Sequence, residues 1–144
     1  MTPATPVAAE TTAPQPRSTP VDPRDVLAAL RDVADPEIPT VSIVDLGMIE
    51  GIDVRPDVIE VELLPTFVGC PALEVIQRAV EERLAAFGRP VAVRVSFSTP
   101  WTTDRISPAG RERLRDSGFA PPPPVRAGRS LPMLGTGEPV ACPY

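Results

Sequence analysis

The sequence offers few groups that can do covalent or metal chemistry. It has no histidine, two cysteines (Cys70 and Cys142), and 14 basic residues, all of them arginine. Cys70 ends the stretch "TFVGC", just before Pro71. That position predicts an N-cap for a helix opened by Pro71, where unpaired backbone N–H groups and the helix dipole favour a thiolate. Gly69 lets the turn bend and leaves the sulfur uncovered. Thr66 can aim its hydroxyl toward the same pocket. The position equally suits a buried structural cysteine, because cysteine packs as a small hydrophobe.

Three other clusters carry polar groups. In "ADPEIPT", Asp35 and Glu37 bracket a proline, which sets two carboxylates on a stiff turn; ordinary punctuation at a helix end explains them as well. In "VDLGM", a side-chain-capped turn accounts for Asp45 and Gly47. "STPWTTDRIS" gathers Trp101, Thr102, Thr103, Asp104 and Ser107 around the only tryptophan. It reads as a contact surface or as a capping loop in which Trp101 closes the core.

Several classes of function are excluded. A tetrahedral zinc site cannot be assembled from two cysteines and no histidine. A cluster ligated by Cys70 would need thiolates from a second subunit or a partner. There is no Cys/His or Ser/His pair and no glycine-rich phosphate loop. The net charge is −5 and the arginines interleave with acidic residues, so no basic patch serves nucleic acid. No apolar run is long enough to span a bilayer. The first residues lack the basic and apolar regions of a signal peptide. The expectation is a cytoplasmic protein, without a disulfide between its cysteines.

Residues 1–20 are dominated by Pro, Thr and Ala and predict a disordered tail. Residues 121–144 are rich in Pro and Gly and predict an extended arm, whose proline run is a spacer or a polyproline docking segment. Between them, 21–120 read as one domain. "DPRDVLAALRDVAD" predicts a helix from an Asp22 cap to Asp35, with Val26, Leu27, Leu30 and Val33 on one face. "MIEGIDVR" and "VIEVELL" flank Pro56-Asp57 as a β-hairpin. A second helix carries Leu73, Ile76, Val80, Leu84 and Phe87, with Gly88 as its stop. "VAVRVSFS" predicts a strand with Val91, Val93, Val95 and Phe97 on one face. Ser107 and Pro108 open a last helix, ended by Gly118. The order α-β-β-α-β-α predicts an α+β fold: a small two-layer sandwich with a three-stranded mixed sheet and helices packed on it.

Together, "DPEIPTVSIVDLGMI", "LLPTFVGCPALEVI" and "STPWTTDRISPAGRERL" resemble the PaaD-type accessory subunits of phenylacetyl-CoA epoxidase systems, over roughly residues 22–124. The core also resembles the wider iron–sulfur assembly domain of SufT-type proteins. The Asp-Pro-Glu turn and the Thr-x-x-x-Cys-Pro signature belong to that wider family, and "PWTTDRIS" to the narrower one. The resemblance implies assistance in assembling an iron–sulfur or di-iron centre, with iron or a cluster as transient cargo, possible sharing between subunits included. It implies Cys70 as the metal ligand, Thr66, Gly69, Asp35 and Glu37 as support, and Trp101 to Asp104 as partner contacts. Epoxidase subunits, iron–sulfur assembly proteins or a second copy of the chain are the implied partners. The alternatives are a redox or coupling subunit and an interaction module with an inert cysteine. The family pattern continues past a Cys-Pro-x-Cys stretch into a zinc-binding tail, whereas this sequence ends at Cys142, Pro143 and Tyr144. Zinc is expected only with such a tail.

Overall fold

Asp22 starts the chain's first helix in two ways. Its carboxylate accepts the Arg24 N–H at 2.7 Å, and Pro23 supplies a pre-set φ at the first helical position. Helix α1 (Pro23–Leu30) buries Val26, Ala29 and Leu30. The computed structural model describes residues 20–121 and 123. The tail over 1–19, the arm from 124 onward and Cys142 lie outside the described residues.

Helix α1 ends five residues before Asp35, where the sequence predicted its stop. The backbone that would extend it is claimed by the following segment: Ile43 N–H donates to the Val33 carbonyl at 3.0 Å, and Asp35 N–H to the Val41 carbonyl at 2.9 Å. Ala34 and Ser42 form an isolated antiparallel bridge. The chain doubles back on itself there, and the helical hydrogen bonds give way.

Strands β1 (Ile49–Val54) and β2 (Ile59–Leu63) form the expected hairpin. Its turn encloses Pro56 and Asp57 and closes with Arg55 N–H on the Val58 carbonyl at 2.9 Å. The register slips between Ile49 and Gly51, a bulge that bends β1. Helix α2 (Leu73–Leu84) then crosses back and delivers β3 (Val91–Val95) parallel to β2, with Ile59 beside Val91 and Leu63 beside Val95. The sheet order is β1-β2-β3. Helix α3 (Pro108–Asp116) is capped by Ser107, whose hydroxyl oxygen accepts the Gly110 N–H at 2.9 Å. Among the described residues, three helices and a mixed three-stranded open sheet make the α+β fold that the pattern of elements implied.

The core follows from the two periodicities. Ile59, Val61 and Leu63 of β2 are buried on one face of the sheet, against Ile76, Val80 and Leu84 of α2 and Val26 and Leu30 of α1. The opposite face is charged: Arg55 pairs with Asp53 at 2.8 Å and Glu60 at 3.1 Å, and Arg94 with Glu60 at 2.9 Å. The hydrogen bond it donates to Asp53 and the nearby Glu60 charge hold the Arg55 guanidinium above its ordinary value.

Phe97 departs from its expected place. Strand β3 ends at Val95, and the last bond toward β2 is Ser96 N–H on the Leu63 carbonyl at 2.8 Å. Beyond it the Ser96 and Ser98 hydroxyls bond each other at 2.8 Å and turn the chain. Phe97 is left 60% exposed.

Candidate functional site

Because β2 and β3 are parallel and adjacent, the loops that follow them leave the sheet on the same edge. In α/β architectures such edges hold ligand sites, because loops there vary while the strands stay fixed. One loop carries Thr66 to Cys70, the other Ser96 to Trp101.

Cys70 does not cap α2. The helix begins at Leu73 with Ala72 at the N-cap, and no side chain bonds its first turn. A separate turn precedes it, with Leu73 N–H on the Cys70 carbonyl at 3.3 Å. The first α-helical bond is Ile76 N–H to Ala72 at 3.0 Å. Pro71 and Ala72 therefore set Cys70 ahead of the N-cap, and the thiol has no role in closing the helix. Cys70 is half-buried, packed in part against the core, and carries a free thiol. Gly69 beside it has φ +84°, with nothing within 4 Å of the Cβ it lacks. Its requirement is for backbone conformation alone.

The two loops enclose a cleft of about 220 Å³, lined by residues 65–68 on one side and by Ser96, Phe97 and residues 99–101 on the other. Thr66 and Trp101 thus share one wall system. Phe67 and Val68 are 53% and 83% exposed at its lip, and Phe97 faces them. Sequence reasoning did not nominate these three. The signal was present in two large apolar residues inside a Thr/Gly/Pro loop, where core packing is not expected. Cys70 lies two residues beyond Val68, outside the lining of the cleft.

Trp101 is half-buried, and its indole N–H donates to the Leu46 carbonyl at 2.8 Å. It closes the core and lines the cleft at once. Thr102 is exposed and precedes the 3₁₀ turn Thr103–Arg105. Thr103 Oγ1 is buried without a hydrogen-bond partner, while its carbonyl accepts from Arg111. Asp104 is exposed.

Asp35 serves its own turn: Oδ1 accepts the N–H groups of Glu37 and Ile38, each at 2.9 Å. No hydrogen bond or ion pair among the described residues joins Asp35 or Glu37 to Cys70 or to the cleft, and neither lines it. Their turn is tied instead to the end of α3, with Thr40 Oγ1 against Ser117 Oγ.

Asp45 is the buried polar centre of the neighbouring segment. It is 6% exposed; Oδ1 accepts from the Ser107 hydroxyl at 2.8 Å, and Oδ2 pairs with Arg113 at 2.9 Å. The turn itself is capped by Ser42, whose Oγ accepts the Asp45 N–H at 3.0 Å. Among the described residues no three Cys, Asp or Glu side chains gather as a metal site. Nor is any helix there long and apolar enough to cross a membrane.

These features define a class: a small α+β domain that presents one thiol and an apolar cleft where two parallel strands end. The chain belongs to the iron–sulfur cluster assembly protein family, whose pattern it matches over residues 23–97. It is 38% identical over 99 residues to an Escherichia coli (strain K12) protein provisionally named as one of the subunits of 1,2-phenylacetyl-CoA epoxidase. That match covers 68% of this chain and 60% of the relative, so the chain spans less than two thirds of that protein's length. The crystal structure of a domain of unknown function from Bacillus anthracis superposes with a TM-score of 0.59 at 26% identity, over 64% of this chain and 90% of that one. A conserved hypothetical protein from Thermotoga maritima gives 0.56 at 32% identity, over 65% and 94%.

Proposed function

We propose that this protein is an accessory factor of a phenylacetyl-CoA epoxidase system and that it assists assembly of an iron–sulfur or di-iron centre through Cys70. One observation carries the reading. A free, half-buried thiol sits on a loop at the edge where two parallel strands end, next to a cleft whose lip exposes Phe67, Val68 and Phe97. Membership of the iron–sulfur cluster assembly family and the likeness to a protein named for the epoxidase support it.

The donor set fits a transient ligand. A single thiolate supplies one bond to iron, so the remaining ligands must come from the donor or the acceptor of the cargo. A site that holds its metal weakly is the kind that can pass it on. The apolar lip supplies a surface for docking a client, because aromatic and aliphatic side chains at a cleft mouth gain most when covered. In this reading Thr66 and Gly69 shape the loop, and Trp101, Thr102, Thr103 and Asp104 contact the partner. Asp35 supports by holding the turn that carries Glu37.

The test is Cys70→Ser in the full chain, produced together with the epoxidase subunits. The variant should unfold within a few degrees of the parent, because the thiol caps no helix. The epoxidase assembled beside it should contain less iron and turn over more slowly, yet show equal activity per iron. Normal iron with low activity would favour a coupling role during turnover. Normal iron and normal activity would leave Cys70 as a packing residue, which its contact with the core also allows.

A further inference from the structure

The outer edge of β3 carries no neighbouring strand among the described residues. Pro90 accepts the Ile59 N–H through its carbonyl at 2.9 Å, and Ser96 N–H donates to Leu63 at 2.8 Å. Backbone groups alternate along a strand, so Ala92 and Arg94 also face β2, while Val91, Val93 and Val95 turn their N–H and C=O groups outward. No strand among the described residues takes that side, since the sheet ends at β3. Open edges of this kind are templates for another strand unless something blunts them. The other edge is blunted: β1 is bulged between Ile49 and Gly51 and exposes Glu50 and Asp53. Strand β3 has an unbroken register over its five residues, three half-exposed valines and a single charge.

We propose that two copies of this chain join β3 to β3, antiparallel about a two-fold axis at Val93, into one six-stranded sheet. Charge selects the register, and the near-palindromic run Val-Ala-Val-Arg-Val suits a second copy of the same strand. Centred on Val93, the pattern Val-Ala-Val-Arg-Val sets Val91 against the partner's Val95 and Ala92 against the partner's Arg94. Each guanidinium then lies over a small residue. It is also drawn inward across β2 to its own Glu60 at 2.9 Å. Centring on Arg94 would set two arginines directly opposite, which is unfavourable. In the chosen register the outward groups of the valines all find partners, about six backbone hydrogen bonds in total.

The pairing has a consequence for the cysteines. Antiparallel strands point their C-terminal ends in opposite directions, so the two Cys70 loops fall at opposite ends of the joined sheet. This dimer therefore does not build a shared two-cysteine site, and it stands or falls independently of the role assigned to Cys70.

Full-length chains carrying Cys70→Ser and Cys142→Ser provide the test. Ala92→Cys and Arg94→Cys are placed on separate chains, since both side chains lie on the charged face away from the core. In the proposed register they meet in a non-hydrogen-bonded pair, with Cα atoms about 4.5 Å apart, within disulfide range. Mild oxidation of the mixture should give a covalent dimer of one chain of each kind, at least about tenfold faster than either variant alone. Sedimentation equilibrium of the parent should give twice the chain mass. Cross-linking no faster in the mixture than in the single variants overturns the register. A parent that remains monomeric at its highest soluble concentration overturns the dimer, whether another segment or another protein covers the edge.

Discussion

Two neighbouring residues show how little tolerance the segment before β1 has. Gly47 has φ +70°, and a Cβ there would sit 2.3 Å from the Arg105 carbonyl oxygen, with Arg105 itself anchored to the Gly47 carbonyl through Nε at 2.8 Å. Gly47→Ala should therefore lower unfolding free energy by more than about 2 kcal/mol, from left-handed strain plus overlap with backbone that cannot retreat. Urea titration measures it. Asp45 tests a different force. Asp45→Ala removes the acceptor of the Ser107 hydroxyl and the buried partner of Arg113, and should cost about 2 kcal/mol. Asp45→Asn should cost less, because its amide oxygen can still accept from Ser107. Arg113→Ala should cost under about 1 kcal/mol, since that side chain is 53% exposed and its charge is screened. The turn around these residues was legible in "VDLGM". The partners of Asp45 were not, because Ser107 and Arg113 lie 62 and 68 residues further along.

At the scale of elements, boundaries announced by a capping residue were readable, and those set by tertiary competition were not. Asp22 and Ser107 each sit before a proline and each accepts a backbone N–H in the first turn, so α1 and α3 start where their local chemistry says. Ser107→Ala should cost about 1 kcal/mol for the lost cap. It should also remove part of the penalty of Asp45→Ala, since the two side chains share a bond; a double-mutant cycle in thermal unfolding measures this. Helix α2 misled because Pro71 suits a first helical position, yet the 70–73 turn takes that place. Strand β3 misled because alternation runs on through Phe97, although β2 has no residue left to pair with it. The same mismatch exposes Phe97 and creates the cleft. A candidate site resting on Cys70 and Trp101 was thus visible in the sequence, while the apolar lip beside them required the strand lengths.

For the whole molecule, the arrangement of the sheet fixes an order of events. Strands β1 and β2 are joined by a turn closed between Arg55 and Val58, whereas β3 reaches β2 only after the long crossover through α2. Local closure is fast, and distant closure carries a larger entropic cost. Val61→Ala, in the hairpin, should slow folding. Val93→Ala should leave the folding rate nearly unchanged and speed unfolding, as stopped-flow chevrons would reveal. During synthesis the same order has a duration. At about 5–20 residues per second, the segment from Leu63 to Val95 takes a few seconds to emerge from the ribosome. For that interval β2, whose inward residues become the most deeply buried in the sheet, stands finished on one side and unpaired on the other. The nascent chain is then most in need of a chaperone, before the residues that end the exposure have been made.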